Sequence, residues 1–150
     1  MNTASDFTGQ SADRFTKACS MVNKYQQMKE PGSPIDHCFT ILDAVAQGTH
    51  TKWSIVYDIS SKKIYFKTLG FSQVKEVSFD RFDFSCDKYS QSWDMNQPAT
   101  GDVSALFKPF TLEINLNLIN RSFIESKGQI EASDERIKEN AGYPGLMKCE

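Results

Sequence analysis

Trp53-Ser54-Ile55-Val56-Tyr57-Asp58 and Lys63-Ile64-Tyr65-Phe66-Lys67-Thr68 are two short runs separated by Ile59-Ser60-Ser61-Lys62. In the first, Trp53, Ile55 and Tyr57 alternate with Ser54, Val56 and Asp58, the period of two that a strand requires. Ser60, Ser61 and Lys62 supply a polar turn, and Ile64 to Thr68 returns, so the pair is expected to form a β-hairpin. Apolar residues fall on both faces of the hairpin, which predicts cover on both sides. Val74 and Val77 suggest a third strand. Tyr89, Gln91, Trp93 and Met95 alternate with Lys88, Ser90, Ser92 and Asp94 as a fourth. The succession is meander-like and hence antiparallel.

Upstream of the hairpin the apolar period is that of a helix. Ser11 is a credible N-cap, and Phe15, Ala18, Cys19, Val22 and Tyr25 follow at spacings of three and four, predicting a helix from about Ala12 to Met28. Pro31, Gly32 and Pro34 stop it. Ser33 then caps a second helix with Pro34 at its first position and Asp36 near its positive end; Ile35, Cys38, Phe39, Leu42 and Val45 form its buried stripe, and Gly48 ends it.

Downstream, Asp102 is expected to cap a short turn through Leu106 and Phe107. Thr111 caps a further helix with Leu112, Leu116, Ile119 and Phe123 on one face and Gly128 at its end. Residues 129–150 read as a polar, frayed tail with one weak helix near Glu131 to Glu139. Helix, helix, four strands and helix imply an α+β domain, an antiparallel sheet flanked by helices. The two leading helices can cover only one sheet face; the other must meet the last helix or a second sheet.

A domain of 150 residues buries roughly 70% of the surface its unfolded chain exposes, so an independent core is feasible. With 39% hydrophobic and 24% charged residues the composition is globular, and 11 Phe imply an aromatic core. A net charge of −2 offers no footprint for nucleic acid. No run of 18 apolar residues and no basic start followed by an apolar stretch is present, so neither a membrane span nor a signal peptide is expected, and no compartment is implied. Cys19, Cys38, Cys86 and Cys149 form no Cys-x-x-Cys pair, and His37 and His50 have no ligand spacing, so no metal or other cofactor is expected. Cys19 and Cys38 read as small buried hydrophobes on helices.

No phosphate loop, dinucleotide fingerprint or nucleophile elbow occurs. Asp94 and Asp102 are carboxylates without a supporting pattern and are not assigned a role. Arg14 is different. In the first turn of its expected helix a cation opposes the macrodipole, which an anionic partner would explain; the plain alternative is a solvent-facing arginine beside Asp13.

Ser11-Ala12-Asp13-Arg14-Phe15-Thr16-Lys17-Ala18 is similar to the Ser-x-x-Arg-Phe-x-(Arg/Lys)-Ala segment of the choloylglycine hydrolase family, which includes bile salt hydrolases and penicillin V acylases. Phe39-Thr40-Ile41-Leu42-Asp43-Ala44-Val45 resembles the family's Phe-x-Ile-Leu-x-x-Val helix. Thr51 to Asp58 and Lys63 to Thr68 resemble its consecutive strands, and Phe107-Lys108-Pro109-Phe110 through Asn115 to Phe123 resembles the tail helix of some members. In order, these segments cover residues 9 to about 126.

The resemblance implies the C-terminal half of an αββα four-layer N-terminal-nucleophile sandwich over residues 1–128, from a hydrolase of linear amide carbon–nitrogen bonds. It implies an N-acyl amide substrate, such as a conjugated bile salt, a penicillin or an acylated amino acid. The family's nucleophile is an N-terminal cysteine whose own α-amino group is the base. Here Met1 precedes Asn2, and the family's other site residues lie upstream of the covered region, so only Arg14 is carried over. Its implied role is to favour the thiolate and the developing negative charge. Alone, the chain is expected to be inactive, and either a complementing N-terminal segment or a homo-oligomer would complete the sheet. The alternative is a non-enzymatic interaction module that recruits a partner through an exposed sheet face.

Overall fold

The computed structural model describes residues 4–86, 88, 90–125 and 131–146; Met1, Asn2, Tyr89, Gly128 and Cys149, on which expectations above fall, lie outside the described residues. The fold is α+β, with four α-helices among the described residues and a small, mainly antiparallel sheet. Two units interleave along the sequence. The first runs to Phe79 and takes in Asn96–Asp102; the second holds Asp80–Met95 and the chain from Val103 onward.

In the first unit, α1 (Ala4–Gln26) and α2 (Pro34–Ala44) form a helical hairpin. Helix α2 begins as its sequence predicts: Ser33 Oγ accepts from Asp36 N at 3.3 Å, and Pro34 occupies a position whose N–H would be unsatisfied in any case. Helix α1 departs from expectation. It starts about two turns before Ser11, so Ser11 is interior and Arg14 is no longer in a first turn. Its inward face is also displaced by one residue. Arg14, Ala18, Met21 and Tyr25 are partly buried at helical spacing, whereas Phe15, Cys19 and Val22 of the expected stripe are exposed, Phe15 by 72%.

Strands β1 (Trp53–Asp58), β2 (Lys63–Thr68) and β3 (Lys75–Ser78) make the expected antiparallel meander, with Ile55 opposite Phe66 and Phe66 opposite Lys75. The β1–β2 turn is closed by Asp58 Oδ1 accepting from Ser61 N at 3.1 Å, with Lys62 in the left-handed region at φ 53°. A fourth strand, β5 (Gly101–Asp102), joins β3 in parallel and was not legible in the side-chain pattern, because a two-residue strand has no period. Gly101 takes φ 70°, which a residue with a Cβ rarely adopts, and donates its N–H to Val74 O at 3.0 Å. Asp102 is therefore a strand residue and not the expected cap; the following turn, Ser104–Leu106, has no side-chain cap.

The sheet has two chemically distinct faces. One carries Ser54, Val56, Asp58, Lys63, Tyr65, Lys67 and Glu76. Helix α2 reaches it: Asp43 pairs with Lys67 at 2.7 Å, and the Lys67 ammonium lies 5.3 Å from the centre of the Phe39 ring. The other face is buried over β2 and β3, where Phe66, Thr68, Lys75 and Val77 are inaccessible, and open over β1, where Trp53 is 57% and Tyr57 64% exposed.

In the second unit the expected strand from Lys88 to Met95 is reduced to β4 (Gln91–Ser92), which pairs with β6 (Lys108–Pro109) in a separate two-stranded ribbon. An aromatic cluster of half-buried rings lies in this unit, whose buried apolar residues are Val103 and Ala141. Phe107 meets Phe82 edge to face at 5.0 Å and lies 6.3 Å from Trp93. Helix α3 (Leu112–Glu125) is capped as expected, with Thr111 Oγ1 accepting from Ile114 N at 3.2 Å. Helix α4 (Asp134–Gly142) is capped by Ser133 and packs on α3. Ala141 is fully buried there, and its carbonyl accepts from Asn115 Nδ2 at 2.8 Å. Much of the expected frayed tail is thus folded against α3.

Candidate functional site

The last carbonyls of any α-helix lack intrahelical donors, and the dipole concentrates partial negative charge there. Helix α2 has no basic residue in its own last turn. Two cations from α1 serve it instead. Arg14 Nε donates to Val45 O at 2.8 Å and Lys17 Nζ to Ala44 O at 2.7 Å. This contact accounts for the displaced inward face of α1: the guanidinium gains a charge-assisted hydrogen bond that a Phe15 ring could not make. The arginine is not simply solvent-facing beside Asp13, since its side chain is partly buried and anchored.

Among the described residues, anchoring is through Nε. The two terminal nitrogens of Arg14 have no hydrogen-bond partner among the described residues, so the planar fork remains able to receive a second, anionic group. The opposite end of the helical hairpin is held by stacking of Tyr25 on His37 at 4.2 Å between ring centres, by His37 Nε2 against Met21 O at 3.3 Å, and by Tyr25 Oη donating to Gly32 O at 2.9 Å. Both ends fix the rotation of α1, and with it the direction of the guanidinium.

Two further clusters were not singled out by sequence. On the polar sheet face Lys63 Nζ meets Glu76 Oε1 at 2.6 Å, with Tyr65 directly opposite Glu76. Burial, and secondarily the Glu76 charge, push the Tyr65 hydroxyl above its ordinary value, while the hydrogen bond to Glu76 raises Lys63. Burial of Tyr65 favours its protonated form, so its contribution to stability is complete below the ordinary tyrosine range and is lost as pH rises through the folded value. Ultraviolet titration is expected to show one tyrosine ionising late, and Glu76→Gln to bring it back toward the others. An unchanged titration in that variant would exclude the Glu76 contribution.

On the apolar face Lys75 is fully buried with its ammonium 5.7 Å from the Phe66 ring centre and 5.4 Å from that of Phe71. The alternation Val74-Lys75-Glu76-Val77 places Lys75 beside Val77 and so could have located it, although nothing in the sequence says that a lysine there is enclosed by rings.

Asp94 is brought into neither cluster, whereas Asp102 borders the polar one, where its charge helps to raise Lys63. Asp94 binds Arg121 at 3.1 Å in the second unit, and Asp102 sits beside Glu76 in β5. Cys38 is half-buried on α2, but Cys19 is exposed, contrary to expectation; both are free thiols, whereas Cys86 is disulfide-bonded. Among the described residues no three His, Cys, Asp or Glu side chains group as a metal site, and no helix is long and apolar enough to cross a membrane.

Neither a family model, nor a curated protein, nor a solved structure matches the chain.

Proposed function

We propose that this chain is the C-terminal part of a linear amide carbon–nitrogen hydrolase of the choloylglycine hydrolase type, an αββα sandwich when complete, in which Arg14 supports a cysteine nucleophile on polypeptide beyond this sequence. The observation that carries the reading is the guanidinium anchored through Nε on the carbonyl end of α2, with no partner at its terminal nitrogens among the described residues. The order of two helices and an antiparallel hairpin, matching the order of the resembling segments, agrees with it. In that reaction the thiolate adds to the carbonyl of an N-acyl amide, the amine leaves with a proton relayed by the nucleophile's own α-amino group, and water then cleaves the thioester. The guanidinium would stabilise the thiolate and the charge that develops on addition.

The test is complementation. This chain is mixed with a separately produced segment bearing an N-terminal cysteine from a family member, and amine release is followed from penicillin V and from a glycine-conjugated bile salt. The expected result is turnover by the mixture and none by either part. A complex that forms without turnover would sink the proposal, as would amide hydrolysis by this chain alone.

A second reading, an interaction module, is favoured by the β1 border of the sheet, where Trp53, Tyr57 and Ile59 are all solvent-exposed.

A further inference from the structure

Strand β1 is the outermost strand of its sheet, and among the described residues no strand lies on its other side. Leu69 N donates to Lys52 O at 2.8 Å, and Trp53 stands opposite Thr68. In an antiparallel pair this phase turns the backbone groups of Lys52, Ser54, Val56 and Asp58 toward β2 and those of Trp53, Ile55 and Tyr57 away from it. The outward row therefore belongs to the same residues whose side chains lie on the apolar face. Proteins normally guard such an edge with charges, proline or a bulge. The stretch 53–57 has no charged residue and no proline, and it pairs with β2 without a bulge.

We infer that β1 pairs with β1 of a second copy of this chain, antiparallel about a two-fold axis that passes between the two Ile55 residues. This deepens the interaction reading and rests on the same open edge. The choice of occupant follows from self-complementarity. About Ile55, each Trp53 faces the other copy's Tyr57 on the apolar side, and each Lys52 faces the other copy's Asp58 on the polar side. Both pairs occur twice, as an isologous interface requires. Sliding the strands by two residues keeps the backbone hydrogen bonds in phase but destroys the match: Lys52 then faces Val56 in one direction, and Asp58 faces Ser54 in the other. Charge complementarity thus selects one register.

The experiment is sedimentation of the full chain across the micromolar range at physiological salt, with hydrogen exchange read at Trp53, Ile55 and Tyr57. A reversible dimer is expected, with those three amides protected only in the dimer. Lys52→Glu and Asp58→Lys each set like charges opposite one another and should weaken dimerisation on the order of tenfold. An equal mixture of the two variants restores opposite charges at both ends and should recover wild-type affinity as a heterodimer. Association insensitive to either variant would overturn the inference in favour of another surface, as would a mixture no tighter than its components. A monomer whose three amides exchange fast would refute self-pairing while leaving the edge open to a different partner. Slow exchange in the dilute monomer would mean that the chain covers its own edge, and the interaction reading would fail as well.

Discussion

Replacing Phe66 by alanine is expected to destabilise the first unit by about 3–5 kcal/mol, the usual cost of deleting a buried aromatic side chain and leaving a cavity. Phe66 is 6% exposed, lies on β2 between β1 and β3, and stands opposite both Ile55 and Lys75. Its neighbours have little freedom to close the space, because their positions are fixed by ladders on both sides. The loss also removes one of the two rings around the Lys75 ammonium, so a buried cation is left with less compensation. Calorimetry should show the melting transition of this unit falling by about 10 °C or more. Phe15→Ala is the control: its ring is 72% exposed, and the change should stay within about 0.5 kcal/mol. Equal shifts for the two variants would show that the apolar sheet face is not a core.

The second large effect concerns Arg14. In the complemented hydrolase, Arg14→Ala is expected to lower kcat/KM by about 100-fold, comparable to removing one preorganised donor from a developing charge. A purely structural arginine would also destabilise, since losing the bond to Val45 O costs about 1 kcal/mol. The pH profile separates the two roles. Removing a cation beside the thiol raises the thiol pKa, so the acidic limb of kcat/KM should move to higher pH. Arg14→Lys keeps the charge but cannot hold Val45 O and an anion in fixed directions at once, and should fall between wild type and alanine. An unshifted acidic limb in Arg14→Ala would remove the guanidinium from the chemistry.

Where one signal dominated, the fold was readable from sequence. Ser33 and Pro34 fixed the start of α2, Thr111 the start of α3, and the alternation from Trp53 to Thr68 the central hairpin. The misplacement of α1 has a physical cause: Ser11 looks like a cap in isolation, and Phe15 looks like core, but the carbonyl end of α2 draws Arg14 and Lys17 inward and rotates the helix. That preference depends on a helix end 27 to 31 residues away and leaves no local trace. Backbone-only pairing is equally silent, which is why β5 was missed. Of the candidate site, Arg14 stood out as a cation in an expected first turn, a premise that the earlier start of α1 removes, and through resemblance. The enclosure of Lys75 by Phe66 and Phe71 arises only when β2, the turn after it and β3 close into a hairpin.

Because Asn96–Asp102 returns to the first unit after an excursion of sixteen residues into the second, the first unit is not a contiguous stretch of polypeptide. During synthesis it cannot be finished when residue 79 leaves the ribosome; it must wait for residue 102, by which time part of the second unit has already emerged. A gene cut anywhere between those positions would deprive β3 of its parallel neighbour, so expression of either unit by itself needs a rejoined or circularly rearranged chain.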